Sequence, residues 1–89
     1  MSNQKIHLAV ISILVEDRQT NAGKMNQILT DAGHLIMSRL GVNVQPACLE
    51  SCTGLLALAV KGTAVEIKEL TKKLDELYGL VAKVNILTK

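Results

Sequence analysis

The chain has 89 residues, 48% of them hydrophobic, a formal net charge of +2 and one aromatic side chain, Tyr78. That length suits one domain over residues 1–89. No run of the sequence approaches the roughly 20 apolar residues that span a membrane. The balanced charge and the scarcity of aromatic residues argue against direct nucleic-acid binding. Because a small domain has a large surface, the mean hydropathy of +0.28 indicates that some apolar surface is covered by a partner, most simply a second copy of the chain.

A strand followed by a helix is predicted first. Ile6–Val15 carries apolar residues on both alternating sets, which is typical of a central strand covered on both faces. The polar residues 16–23 follow, with Asp17 and Thr20 as candidate helix N-caps. Gly33 stands where a left-handed C-terminal cap is expected. The apolar stripe of this helix consists of Met25, Ile28, Leu29 and Ala32.

A second strand, a loop and a third strand come next. Residues 35–44 include the charged Arg39, as suits an edge strand. Residues 43–53 hold the only proline, Pro46, and both cysteines, which is typical of a loop or hairpin tip. Residues 54–61 are apolar on both alternating sets, so we expect another central strand.

A capped helix and an alternating strand complete the chain. Thr63 and Glu66 have the spacing of a capping box, Gly79 is expected to end the helix, and Tyr78 is expected to pack in its last turn. The helical stripe consists of Ile67, Leu70, Leu74 and Leu77. Residues 80–87 alternate, and the inward set is Leu80, Ala82, Val84 and Ile86.

The order of elements is therefore βαββαβ, the ferredoxin-like arrangement of the α+β class. In it, two helices cover one face of a four-stranded antiparallel sheet, and the first and third strands are central. The central strands here are also apolar on the face away from the helices. A second sheet, from a copy of the same chain, is the simplest cover for that face.

Catalytic chemistry is not indicated. The sequence has no recognisable triad or phosphate loop, and Glu16 and Asp17 are neighbours that would point apart. The corner between the first strand and the first helix can instead offer free backbone N–H groups to a small anionic or polar ligand. Three environments are open for Arg39: contact with such an anionic ligand, an ion pair with a carboxylate of another subunit, or solvent.

The two cysteines, Cys48 and Cys52, leave several possibilities open. The polar residues 1–5 have no signal-peptide pattern, so a reducing cytoplasm is expected, with thiols or a metal rather than a disulfide. A metal would need further ligands such as His34 or Glu50. The alternatives are two thiols without a shared task, reversible oxidation, or an inter-subunit contact.

Three segments resemble a known family: residues 15–18 (Val-Glu-Asp-Arg), residues 39–41 (Arg-Leu-Gly) and residues 62–74. Together they resemble the small iron-only hydrogenase system regulators, over roughly residues 5–89. That family is similar in fold to ACT domains and to the C-terminal metal-sensing domain of the nickel-responsive repressor. The resemblance implies a non-catalytic, oligomeric regulatory domain with any ligand near the first strand–helix corner and a subunit interface. Carried onto this chain, the ligand positions are Glu16, Asp17, Arg18, Asn21, Arg39 and Gly41.

The segment at residues 45–52 departs from that family, which leaves room for a metal or redox role. The His/Cys pattern of the nickel-responsive repressor is not reproduced, so nickel sensing is not expected. We expect a cytoplasmic, non-enzymatic, ACT-like regulator that forms a dimer or tetramer through its open sheet face and responds to an unidentified small ligand.

No cofactor and no direct contact with nucleic acid or membrane are expected, and any effect on transcription would need a protein partner. The alternative is a metal- or redox-responsive module using Cys48 and Cys52. An acylphosphatase-type enzyme on the same topology is disfavoured, because the first strand–helix corner lacks a glycine-rich anion cradle.

Overall fold

Strands and helices alternate along the chain in the predicted order. A computed structural model describes residues 5–44, 48–50 and 52–89, apart from the side chain of Asn43. The strands are β1 (Ile6–Val15), β2 (Ile36–Asn43), β3 (Gly54–Thr63) and β4 (Leu80–Ile86), and the helices are α1 (Arg18–Asp31) and α2 (Ala64–Asp75), with a short 3-10 helix at Gly33–Leu35. The polar start at residues 1–4 and the loop proline Pro46 lie outside the described residues. No helix within the described ranges is long and apolar enough to cross a membrane.

The four strands form one antiparallel sheet in the order β2-β3-β1-β4. The strands with apolar residues on both alternating sets, β1 and β3, are therefore central, and β2 and β4 are the edges. This arrangement confirms the ferredoxin-like α+β fold that the sequence predicts. The helices bury one of the two apolar sets of each central strand, and the other set lies on the face away from the helices.

The core lies between the sheet and the two helices. On the central strands every second side chain is buried, namely Ala9, Ile11, Ile13 and Val15 on β1 and Leu56, Leu58 and Val60 on β3. The helices contribute the buried side chains Met25, Leu29, Ile67, Leu70 and Leu74. These belong to the two predicted stripes, whose other members Ile28, Ala32 and Leu77 are partly buried. Burial of these apolar side chains is the main stabilisation of the fold.

A capping box starts α2, as the sequence predicts. The Thr63 hydroxyl accepts a hydrogen bond from the Glu66 backbone N–H at 3.1 Å, and the Glu66 carboxylate accepts one from the Thr63 N–H at 2.9 Å. The bond from the Thr63 backbone, with a further contribution from its side chain, lowers the pKa of the Glu66 carboxyl below its ordinary value. The ionised carboxylate therefore fixes the point at which β3 ends and α2 begins.

Three local details differ from the prediction. The cap residue of α1 is Ala32, with a φ of −101°, and Gly33 opens the 3-10 helix instead of adopting a left-handed cap. Helix α2 ends at Asp75, and Gly79 takes its positive φ of 81° in the turn that leads to β4. Tyr78 does not pack, since 91% of its surface is exposed. Each difference arises where a turn inserts a few residues between a helix and the next strand.

The sheet face away from the helices is uncovered. One aliphatic side chain from each strand forms a row across this face, called the apolar row below, in the order Val42, Leu55, Leu14 and Val81. All four are between 40% and 50% exposed. The apolar row places branched hydrophobic side chains in solvent across the full width of the sheet.

Candidate functional site

The six ligand positions that the resemblance indicates fall into two groups. Glu16, Asp17 and Asn21 lie at the corner between β1 and α1, whereas Arg18, Arg39 and Gly41 line a groove between α1 and the β2–β3 edge of the sheet. Asn21 lines a separate surface depression beside Tyr78. The structure therefore does not gather the six residues around one cavity.

Backbone groups at the corner already have partners within the chain. The Glu16 N–H donates to the Gly79 carbonyl at 2.7 Å, and the N–H groups of Thr20 and Asn21 both donate to the Asp17 carbonyl at 3.0 Å. The Asn21 side-chain amide donates to the Glu16 carbonyl at 2.5 Å. These bonds hold the end of β1 and the start of α1 in place, and they leave fewer N–H groups for a ligand than the sequence suggests.

Asp17 occupies the N-cap position of α1, as predicted, but not through its side chain. Its φ of 47° is in the left-handed region, and its carboxylate makes no capping hydrogen bond. Asp tolerates this conformation better than most residues. The role of Asp17 is therefore to turn the chain sharply, so that Arg18 starts α1 directly after the strand.

The groove between α1 and the sheet edge, called the arginine groove below, has a volume of about 390 Å³. It contains both arginines of the chain, Arg18 and Arg39. Its other lining residues are apolar or uncharged, namely Val15, Ala22, Met25, Asn26, Gly41, Val42, Gly54, Leu55 and Leu56. The groove thus combines two positive charges with apolar walls, and no acidic side chain lines it among the residues that the structure describes.

Arg18 reaches the groove because of two features of the local backbone. Its N–H donates to the Cys52 carbonyl at 2.7 Å, which ties the start of α1 to the segment preceding β3. Its side-chain stem lies over Gly54, where a Cβ would be 3.0 Å from the Arg18 Cδ. The Arg18 Nε is buried and has no hydrogen-bond partner among the described residues. An unpaired buried donor of this kind is unfavourable unless something else accepts its hydrogen bond.

Arg39 enters the same groove from β2. It pairs with Leu58 in the sheet register, so it lies on the helix-facing side of the edge strand. Its guanidinium donates to the Asn26 side-chain oxygen of α1 at 3.2 Å. Because Asn26 is neutral, this bond orients the guanidinium without compensating its charge.

Cys48 and Cys52 form a disulfide, with Cα atoms 5.8 Å apart, so the expectation of free thiols or a metal in place of a disulfide is wrong. Four residues of separation let the chain turn back on itself far enough for the two sulfurs to meet. The Gln19 amide nitrogen donates to the Cys52 sulfur at 3.0 Å, and its oxygen accepts from the Cys52 N–H at 3.1 Å. The disulfide ring is thus held against the first turn of α1.

The three candidate metal ligands do not come together. Cys48 and Cys52 lie at the first turn of α1, whereas His34 follows its last turn, and a helix of this length spans about 21 Å. Both sulfurs are bonded to each other and are not thiolates. Within the described ranges, no group of three His, Cys, Asp or Glu side chains is placed to hold a metal ion.

A match to a protein-family model identifies the family of the chain. The family model of TM1266-like proteins, described as iron-only hydrogenase system regulators, matches residues 7–84. The chain belongs to this family. The match runs from β1 into β4, so it includes both central strands, the corner and the arginine groove. Family membership confirms the resemblance drawn from residues 15–18, 39–41 and 62–74.

Solved structures confirm the fold of this TM1266-like protein. The uncharacterised protein TM1266 from Thermotoga maritima is 24% identical, with a TM-score of 0.84 over 94% of this chain and 100% of that one. The ACT domain of GTP pyrophosphokinase from Chlorobium tepidum is 20% identical, with a TM-score of 0.60 over 94% of this chain and 89% of that one. No curated protein matches the chain. The family and the fold are those of a regulatory, ACT-like domain.

Sequence reasoning missed three residues that shape the site of this TM1266-like protein. Gln19 binds the disulfide ring, Asn26 orients Arg39, and Gly54 makes room for the Arg18 stem. Gln19 lies within the polar residues 16–23, but nothing in its spacing relates it to Cys52. A glycine at the start of an otherwise apolar strand is the one visible signal, because it indicates a close approach by another group.

Proposed function

We propose that this protein is a non-catalytic regulatory module that pairs with a second copy of itself through the open face of its sheet and binds a small ligand. The TM1266-like family and the ACT-like fold support a regulatory role, and the family description supports a link to the iron-only hydrogenase system. The apolar row is the observation that carries the self-association. It is the feature that a chain functioning alone would not need.

The chemistry of the open face favours another sheet as its partner. The apolar row is one side chain wide and crosses all four strands, so two copies related by a two-fold axis can stack row against row. Among the described residues of this face, the charged ones are Lys61 and Lys83, which lie outside the row. With no aromatic side chain and no acidic group there, neither stacked bases nor a basic partner is favoured.

Replacing Leu14 with glutamate is expected to dissociate the assembly into monomers. Leu14 lies in the middle of the apolar row, between Leu55 and Val81, and a carboxylate there would be desolvated without a partner. We expect sedimentation velocity at micromolar concentration to show the wild type as a dimer or tetramer. The variant should associate at least about 100-fold more weakly, which corresponds to a few kcal/mol.

The matched control for this experiment is Val65→Glu, which adds the same charge to an exposed aliphatic position on α2. It should leave the assembly unchanged, because Val65 is on the opposite side of the molecule from the open face. A wild type that sediments as a monomer would refute the proposed self-association. So would a Leu14→Glu variant that sediments like the wild type.

The disulfide favours a second candidate function, a redox-responsive module. The ring closed by Cys48 and Cys52 contacts the first turn of α1 through Gln19 and through the Arg18 N–H. A dithiol reductant would break the S–S bond, become a disulfide itself and leave two protein thiols, after transfer of two electrons and two protons. Opening the ring would release the segment that holds the start of α1.

Reduction is therefore expected to destabilise the protein and to disturb the first turn of α1. Closing a loop of this size contributes about 2 kcal/mol to the free energy of unfolding, so the melting temperature should fall by about 10 °C on treatment with dithiothreitol. Iodoacetamide should label two cysteines after reduction and none before. Cys48→Ser, which lacks the bond under both conditions, should melt at one temperature with or without reductant. Equal melting temperatures and amide spectra for the reduced and oxidised wild type would exclude a redox response.

A further inference from the structure

We infer that the arginine groove binds a small organic oxyanion, with a carboxylate or phosphoryl group held by Arg18 and Arg39. The inference deepens the proposed ligand-binding role and depends on it for its biological meaning. It also moves the site away from the corner at Glu16 and Asp17. The binding groups are side chains of α1 and β2, in place of backbone N–H groups at the strand–helix junction.

The charge distribution is the first reason. Both arginines of the chain line this one groove, whereas none of its described lining residues is acidic. Arg18 is half-buried and its Nε is fully buried, so its guanidinium loses part of its hydration, whereas Arg39 is exposed. An anion at hydrogen-bond distance offsets such a loss. An oxyanion in the groove would supply the missing negative charge.

The hydrogen-bond inventory is the second reason. The Arg18 Nε is buried without a partner among the described residues. Within the described part of the chain, the Arg39 guanidinium makes one hydrogen bond, to Asn26, which leaves most of its five donors available there. Carboxylate and phosphoryl oxygens are acceptors only, and their planar or tetrahedral faces suit the fork of a guanidinium.

The shape of the groove limits the size of the anion. A volume of about 390 Å³ is at the lower end of the range for small-molecule sites, so a single small metabolite fits and a polymer does not. Met25 and Leu56 are among the apolar residues that line the groove. An anion with a short apolar body would pack against these apolar residues, whereas a bare inorganic ion would contact only the arginines.

The test is a titration followed by NMR, with sodium phosphate in one series and sodium butyrate in another. Ionic strength is held constant with sodium chloride. The amides of Gly41 and Gly54 and the Nε–H of Arg18 report on the groove. We expect saturable shifts at these groups with phosphate, butyrate or both, and the probe that binds distinguishes a phosphoryl ligand from a carboxylate ligand. If neither phosphate nor butyrate produces saturable shifts at these groups, the inference is overturned.

Three charge-matched variants decide whether the arginines hold the anion. Arg18→Gln and Arg39→Gln should each weaken binding about tenfold or more, the loss expected for one charge-assisted hydrogen bond. Lys24→Gln removes the same charge from α1 outside the groove, so it should weaken binding less than twofold. Equal effects of all three variants would mean general electrostatic attraction and would overturn the inference. A melting curve of each variant establishes that it is folded.

Failure of the self-association proposal can be told apart from failure of this one. Both arginines of the groove belong to one chain, whereas Val42 and Leu55 are shared with the apolar row. The Leu14→Glu variant should therefore still bind the probe, and replacement of either arginine in that background should still weaken binding. If the wild type proves monomeric but still binds the probe through both arginines, the proposed anion site is supported and the proposed self-association is refuted. If Leu14→Glu is folded and monomeric but no longer binds, the assignment of a complete site to one chain is overturned.

Discussion

Replacing Leu58 with alanine is expected to lower the free energy of unfolding by about 3 to 4 kcal/mol, the largest effect we expect from a single truncation in this chain. Leu58 is fully buried at the middle of β3, where it pairs with Ile11 of β1 on one side and Arg39 of β2 on the other. Its neighbours are regular strand residues that cannot move into the space left behind. The variant should therefore retain a cavity, and urea unfolding should show a lower midpoint with a similar slope.

Leu55→Ala is the matched control, because it makes the same substitution on the same strand but on the opposite face. Leu55 is 46% exposed, so its truncation should lower the free energy of unfolding by less than about 1 kcal/mol. Both substitutions are best compared in the Leu14→Glu background, where self-association does not contribute. Similar losses at the two positions would contradict the assignment of the core to the helix-facing side of the sheet.

The fold could be predicted from the sequence because its determinants are local and repeated. The strand period of two and the helical stripes identify each element, and the capping box at Thr63 and Glu66 is a short-range pattern with one structural meaning. The distinction between central and edge strands follows from whether both alternating sets are apolar. The helix ends were harder to place, as at Gly33 and Gly79, because a helix can end by several types of turn that use the same residues.

The arrangement of the candidate site could not be predicted in the same way. Arg18 and Arg39 are 21 positions apart in sequence, and they line one groove only because the fold places the edge strand β2 beside α1. The disulfide differs from the prediction for another reason: the sequence favours a reducing compartment over a disulfide, although two cysteines four positions apart can be bridged. Contacts that depend on tertiary placement, such as Asn26 with Arg39, leave no periodic signal in the sequence.

Replacing Gly79 with alanine is expected to lower the free energy of unfolding by about 2 to 3 kcal/mol. Gly79 has a φ of 81°, which an alanine adopts at an expense of roughly 1 to 2 kcal/mol. An added Cβ would also overlap the Asn21 side-chain amide and lie 3.3 Å from the Glu16 carbonyl oxygen, so the hydrogen bond between Asn21 and Glu16 would be displaced. Because the Gly79 carbonyl accepts from the Glu16 N–H, the strain acts directly on the corner that precedes α1.

Two further variants separate the conformational strain of Gly79→Ala from its steric overlap. Asn21→Ala removes the overlapping amide. The loss of unfolding free energy in the double variant should therefore be about 1 kcal/mol smaller than the sum of the two single losses. Gly23→Ala is the opposite control: Gly23 is an exposed helical glycine with no atom close to the added Cβ, and the substitution should stabilise the protein by about 0.5 to 1 kcal/mol. Urea unfolding is measured for the wild type and for all four variants. Strictly additive losses at Gly79 and Asn21 would show that the amide does not limit the space at the turn, and the corner would then be held by its backbone bonds alone.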